Sequence, residues 1–202
     1  MRSVTLLAVC LLSFFLTADL RAADPFVFEA PKGWRSERIP FPLGFAPELK
    51  YRGFEELRFG PGIFRAGSDT YWTYVFFWWI DGEASMTKAQ LEKDLLDYYR
   101  GLSKAVGGSK GFNIDPAKIS IELKEVDPPR SGKSGYTPFL SGKLRTYDAF
   151  ATGNLLELNI EVSQSYFKAA KRRWVFFSVS PRDKSKPVWN VMHKIRDSFQ
   201  LH

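Results

Sequence analysis

Apolar positions along the chain follow two periods, and the change between them marks out the elements. Phe26-Val27-Phe28-Glu29-Ala30 alternates as a short strand and stops at Pro31-Lys32-Gly33-Trp34. Gly53–Phe59 alternates again, with Glu55, Leu57 and Phe59 on one face and Glu56 and Arg58 on the other, before Gly60-Pro61-Gly62. Between them, Ile39–Pro47 carries Pro40, Pro42 and Pro47, which predicts a loop whose aromatics fold back onto the domain. Tyr71–Ile80 is apolar at both parities and rich in aromatic and β-branched residues. That pattern predicts a central strand covered on both sides, ended by Asp81-Gly82.

The period then becomes helical. Thr87 and Gln90 have capping-box spacing, in which each side chain bonds the other's backbone N–H, and Met86 and Leu91 stand at the positions of a hydrophobic staple. Leu91, Leu95, Tyr98, Leu102 and Val106 form one stripe, and Gly107-Gly108 supplies the stop, so the spacing predicts a helix over Lys88–Val106. Ile119, Ile121 and Leu123 alternate with polar residues as a half-exposed strand, and Arg130–Gly142 reads as a polar, glycine-rich loop. Lys143–Phe150 and Leu155–Val162 flank Ala151-Thr152-Gly153-Asn154 as a hairpin. In its second arm Leu156, Leu158, Ile160 and Val162 face in, while Glu157, Asn159 and Glu161 face water. Arg173–Val179 is a second doubly apolar strand. Val188, Met192, Ile195 and Phe199 make the stripe of a closing helix over Pro187–Phe199. Two doubly apolar strands need cover on both faces. The order therefore predicts a single α+β domain: a mainly antiparallel sheet of about six to seven strands with two amphipathic helices.

The first residues carry a different signal. Arg2 precedes a run of 13 mostly apolar residues, Val4–Leu16, followed by Ala18, Ala22 and Ala23. Such a run is short of the roughly 20 residues that cross a bilayer, and it fits the hydrophobic region of a secretory signal. We therefore expect a signal peptide over 1–22, cleavage after Ala22 or Ala23, a domain over 23–202, and a periplasmic or extracellular location. Cys10, the only cysteine, lies within that run. The processed chain then has no thiol and no disulfide, which excludes thiol catalysis and cysteine-ligated metal sites. No second apolar run is long enough to span a membrane. The composition, 45% hydrophobic and 16% aromatic, can fill a core and excludes a disordered chain.

The opening Phe26-Val27-Phe28-Glu29-Ala30-Pro31-Lys32-Gly33-Trp34, the following strands and the closing amphipathic helix resemble the arrangement of PsbP-like domains. That family includes extrinsic photosystem subunits and exported bacterial relatives. Phe45-Ala46-Pro47 with Glu55-Glu56-Leu57-Arg58-Phe59-Gly60-Pro61-Gly62 is similar to a group of exported bacterial proteins to which no activity is attached. Both resemblances are to exported proteins, and neither transfers a functional residue.

Few chemistries remain. His193 lies four residues after Trp189 and four before Asp197, which offers either an Asp-oriented base or an ordinary helix-surface pair. With His193 and His202 the only histidines, no metal site is expected. No Gly-x-Ser-x-Gly elbow is present, and Gly107-Gly108-Ser109-Lys110-Gly111 follows a helix rather than a strand, so it reads as a stop and turn. Among carboxylates, Glu55 and Glu56 point to opposite faces, Glu56–Arg58 reads as an exposed ion pair, and Asp81 with Glu83 reads as a turn. Trp72, Trp78, Trp79, Tyr98 and Tyr99 could be core or could line an apolar pocket. We expect no catalytic residues and no cofactor.

Charge adds one localised feature. Removing Arg2, Arg21 and Asp19 leaves 27 basic and 21 acidic residues; nine of the basic and two of the acidic ones fall in Gln164–His202. Lys168, Lys171, Arg172 and Arg173 lie where two strands must turn, and we expect an exposed cationic tip suited to an anionic envelope surface. Export makes nucleic acid an unsuitable partner. The sequence thus favours an exported, non-catalytic binding or accessory domain, over a carboxylate-dependent hydrolase of an envelope polymer or an apolar-ligand carrier.

Overall fold

The computed structural model describes residues 24–82, 86–127 and 139–201. The expected signal peptide, Glu83, His202 and most of the Arg130–Gly142 segment lie outside these residues. The strands are β1 (Phe26–Val27), β2 (Arg35–Pro40), β3 (Gly53–Phe59), β4 (Tyr74–Asp81), β5 (Ser120–Glu125), β6 (Phe139–Tyr147), β7 (Leu155–Phe167), β8 (Arg172–Ser180) and β9 (Gln200–Leu201). The helices are α1 (Lys88–Leu102), continued by a π-helical turn Ser103–Gly107, and α2 (Pro187–Ser198). Seven strands form one sheet in the order β2-β3-β4-β8-β7-β6-β5, and every neighbouring pair is antiparallel. The chain is a single α+β domain.

The two doubly apolar strands, β4 and β8, lie side by side at the centre, with Phe76 opposite Phe177 and Phe77 opposite Phe176. Their two parities feed two cores. Phe76, Trp78, Ile80, Val175, Phe177 and Val179 meet α1 and the loop after β2. Val75, Phe77, Trp79, Trp174 and Phe176 meet α2 and the β1 segment. The α2 stripe of Val188, Met192, Ile195 and Phe199 is buried as its spacing predicts.

α1 begins where its cap predicts: the Gln90 N–H donates to Thr87 Oγ1 at 3.1 Å. Only half of the capping box forms, because the Gln90 side chain donates to Asp94 Oδ1 at 2.7 Å instead of reaching back. Met86 and Leu91 are both buried in the α1 core.

Four segments differ from the sequence reading. Arg35–Pro40 is a strand; Pro40 is tolerated because β2 is the sheet edge and its outward side needs no donor. The Ile39–Pro47 loop does fold back, and it is Leu43 and Ala46 that it buries fully. The central strand starts at Tyr74 rather than Tyr71, and β6 starts at Phe139, so residues 139–142 belong to the sheet. Glu161 does not face water: α2 covers that face of β7, and the carboxylate is 8% exposed.

Candidate functional site: an apolar cavity between the sheet and helix α1

α1 and the β2 edge of the sheet diverge and leave a cavity of about 510 Å³. Leu57, Phe59 and Tyr74 of β3 and β4 form its floor, and Tyr98, Leu102 and Val106 of α1 and the π turn form one wall. Phe45 closes it from the loop after β2; Ile63, Phe64 and Trp72 come from the β3–β4 loop, and Phe150 from the β6–β7 turn. The exposed Arg35, Ser36 and Glu37 of β2 form the rim.

Local sequence explains each wall. A Cβ on Gly101 would stand 1.9 Å from the Phe45 carbonyl oxygen, so only glycine lets the loop lie against α1 there. That approach brings the Phe45 and Tyr98 ring centroids to 5.0 Å. The opposite wall hangs on Asp148. Its carboxylate accepts from Tyr71 Oη at 2.8 Å, Trp72 Nε1 at 3.0 Å, Thr152 Oγ1 at 2.9 Å and the Ala151 N–H at 3.1 Å. Burial alone would push the Asp148 carboxyl up, but these donors outweigh it and hold it below the usual carboxylate range. Trp72 itself has φ +46°, a left-handed conformation costly for a bulky residue, held by the Asp148 bond and by its own N–H to the Ile63 carbonyl at 2.9 Å. Phe64, 41% exposed, stacks on Phe150 at 4.6 Å and shields this end.

The polar groups of the inner wall are bonded within the protein. Tyr98 Oη donates to Glu55 Oε1 at 2.8 Å, Trp78 Nε1 donates to Glu55 Oε2 at 3.3 Å, and the Tyr74 and Tyr99 hydroxyls bond each other. Glu55 is fully buried behind the wall, and burial pushes its carboxyl up to about 8, against the opposing pull of the Tyr98 and Trp78 hydrogen bonds. Both of its oxygens are occupied, and it does not reach the cavity.

The other candidates divide as follows. Glu55 and Glu56 do point to opposite faces, but Glu56 is not an exposed partner of Arg58: it is 6% exposed and bound by both Arg38 and Arg58. His193 is not oriented by Asp197. Its Nε2 lies 2.8 Å from Glu161 Oε2, while Asp197 accepts from Arg196 Nε at 3.0 Å. Lys184 Nζ is 3.1 Å from Glu161 Oε1. Burial would raise the Glu161 carboxyl, but His193 and Lys184 hold it below its ordinary value. Asp81 pairs with Arg172 at 2.6 Å. The glycine-rich stretch after α1 ends the helix, with Ser109 Oγ donating to the Val106 carbonyl at 2.7 Å. Of the five aromatics considered, Trp72 and Tyr98 line the cavity, Trp78 and Tyr99 lie behind it, and Trp79 packs on the opposite face.

The four cations of the β7–β8 turn are not equivalent. Lys168 and Lys171 are exposed, Arg172 is half-buried beside Asp81, and Arg173 is 5% exposed with NH1 donating to Gln164 Oε1 at 3.3 Å. Strand alternation turns Arg173 onto the α1 face, and so the exposed tip is reduced to its two lysines. The apolar cavity and the Asp148 hub were not picked out as units from the sequence. Glu55 on the same strand parity as Leu57 and Phe59 was the one available signal that a carboxyl would enter the core.

No family model and no curated protein matches the chain. Among solved structures it is similar to the Ran-binding protein Mog1p of Saccharomyces cerevisiae, at 8% identity over 83% of this chain and 96% of that one. The TM-score is 0.33, and a likeness of that degree carries no argument about function. Among the described residues, no helix is long and apolar enough to cross a membrane.

Proposed function

We propose that the protein is an exported, non-catalytic binding domain that holds the apolar part of a small-molecule ligand between β3, β4 and α1. One observation carries this reading: the inner wall of the cavity is apolar, and the Tyr74 and Tyr98 hydroxyls and the Trp72 indole N–H that reach it are bonded within the protein. Such a wall favours hydrocarbon or aromatic surface over water or a polar substrate. The buried Glu55, whose two oxygens accept from Tyr98 and Trp78, supports the wall and has no route to a bound molecule. Export rests on Arg2, the Val4–Leu16 run and the small residues after it. The exposed Lys168 and Lys171 add a weak attraction to an anionic envelope surface, fading beyond a Debye length of ~8 Å at physiological salt.

Binding of N-phenyl-1-naphthylamine to protein isolated from its native cells tests the cavity. The dye should bind and brighten, and Val106→Trp, which fills the wall of the π turn, should abolish this with the fold intact by circular dichroism. Undiminished dye binding by folded Val106→Trp would overturn the reading. N-terminal sequencing of the same preparation should begin at Ala23 or Asp24; a chain that retains residues before Asp19 would overturn export.

A further inference from the structure

We infer that the cavity's ligand is a single-chain amphiphile with a zwitterionic head, its chain inside and its head on the β2 rim. This rests on the cavity reading above and adds the head. Arg35 and Glu37 are two residues apart on one strand, so their side chains leave the same face. The register fixes which face: Arg35 pairs with Phe59 and Glu37 with Leu57, and both partners belong to the cavity floor. The two charges therefore stand over the mouth, with Cα atoms ~7 Å apart along the strand.

Neither charge is neutralised by an ion pair among the described residues, and the charge of Glu37 adds to burial's upward push on the Glu55 carboxyl. Among those residues Arg35 reaches only the ring of Phe64, its guanidinium carbon 6.0 Å from the centroid. The contrast on the opposite face of the same strand is sharp, where Arg38 is bound by Asp24 and Glu56. An anionic head alone would meet Glu37, and a cationic head alone would meet Arg35. A head with a phosphate for Arg35 and an ammonium for Glu37 satisfies both, and the apolar wall behind takes the chain. The volume, about 510 Å³, lies in the roughly 300–1,000 Å³ range of sites that enclose one compact ligand, which suits one acyl chain rather than two.

Displacement of bound N-phenyl-1-naphthylamine by three lipids of equal chain length tests the head: lyso-phosphatidylethanolamine, lyso-phosphatidylglycerol and a monoacylglycerol. The zwitterion should displace the dye at a concentration about fivefold lower than the other two, the size of two partly exposed charge contacts. Glu37→Lys should abolish that preference and favour lyso-phosphatidylglycerol, each lipid's displacement being read against the variant's own dye affinity. Equal displacement by all three lipids, or an unchanged ranking in Glu37→Lys, would overturn the head assignment and leave the cavity reading standing. Failure of the dye to bind the unsubstituted protein would overturn both.

Discussion

The two faces of the central sheet use the same kind of residue to opposite ends. On the α2 face, Phe26, Phe28, Phe77 and Phe199 meet edge-on or stacked, with centroid separations between 4.9 and 6.2 Å, and the β1 segment and the end of α2 close over them. On the α1 face an equally aromatic surface is only partly covered. α1 packs chiefly against β5 and β6, at the edge of the sheet away from β2, and the β3–β4 loop, pinned through Asp148, bridges the gap without filling it. The lesson is that aromatic density does not separate core from cavity. What separates them is whether a second element follows the sheet to its edge.

The largest expected effect breaks this comparison most directly. Phe77→Ala on the filled face should cost about 4 kcal/mol, the cost of a large ring removed from a close-packed site, whereas Phe59→Ala in the cavity floor should cost about 1 kcal/mol. Denaturant unfolding measures both, and equal losses would mean that the cavity face is packed like the other. Glu55 sharpens the contrast through pH. Its folded carboxyl holds its proton to about 8, while an unfolded one releases it near the ordinary value. Its contribution is therefore fully present below the unfolded value and is lost as pH rises through about 8. Unfolding free energy should fall by a few kcal/mol between about pH 5 and pH 8, and Glu55→Gln should flatten that slope.

Smaller effects test how α1 is held. Thr87→Ala should cost about 1 kcal/mol, because Thr87 satisfies one free N–H and receives no reciprocal bond from Gln90. The smallest lies at the β7–β8 turn, where the two faces meet. Lys168→Gln with Lys171→Gln should lower binding to anionic vesicles about threefold at low salt and leave binding at high salt unchanged, read by co-sedimentation. Equal binding by the variant would assign the two lysines to solubility alone.

Much of this architecture was legible in the chain. β4, β8 and both helical stripes could be read because each is a local period, and the structure preserves it. The β2 strand was obscured by Pro40, whose missing N–H matters only if the strand has a neighbour on that side, and strand order is not a local property. Glu161 and Arg173 were misread for the same reason. Alternation assigns a face but not what covers it, and here α2 covers the Glu161 carboxylate while the Arg173 guanidinium is buried beside Gln164. The cavity was least legible, since it exists only where β2, α1 and two loops fail to meet.

β1 pairs with β9, Val27 opposite Gln200 and Phe26 opposite Leu201, so strands from opposite ends of the described chain are laid together. This has a kinetic meaning. Closing that loop joins residues separated by nearly the whole domain, and its entropic cost is met only after the intervening sheet has formed. The α2 core includes Phe26, Phe28 and Phe199, so it too is completed only when residues from both ends of the described chain are brought together. The β1–β9 pair is therefore expected to form late in folding, after the seven-stranded sheet that separates its two strands in sequence.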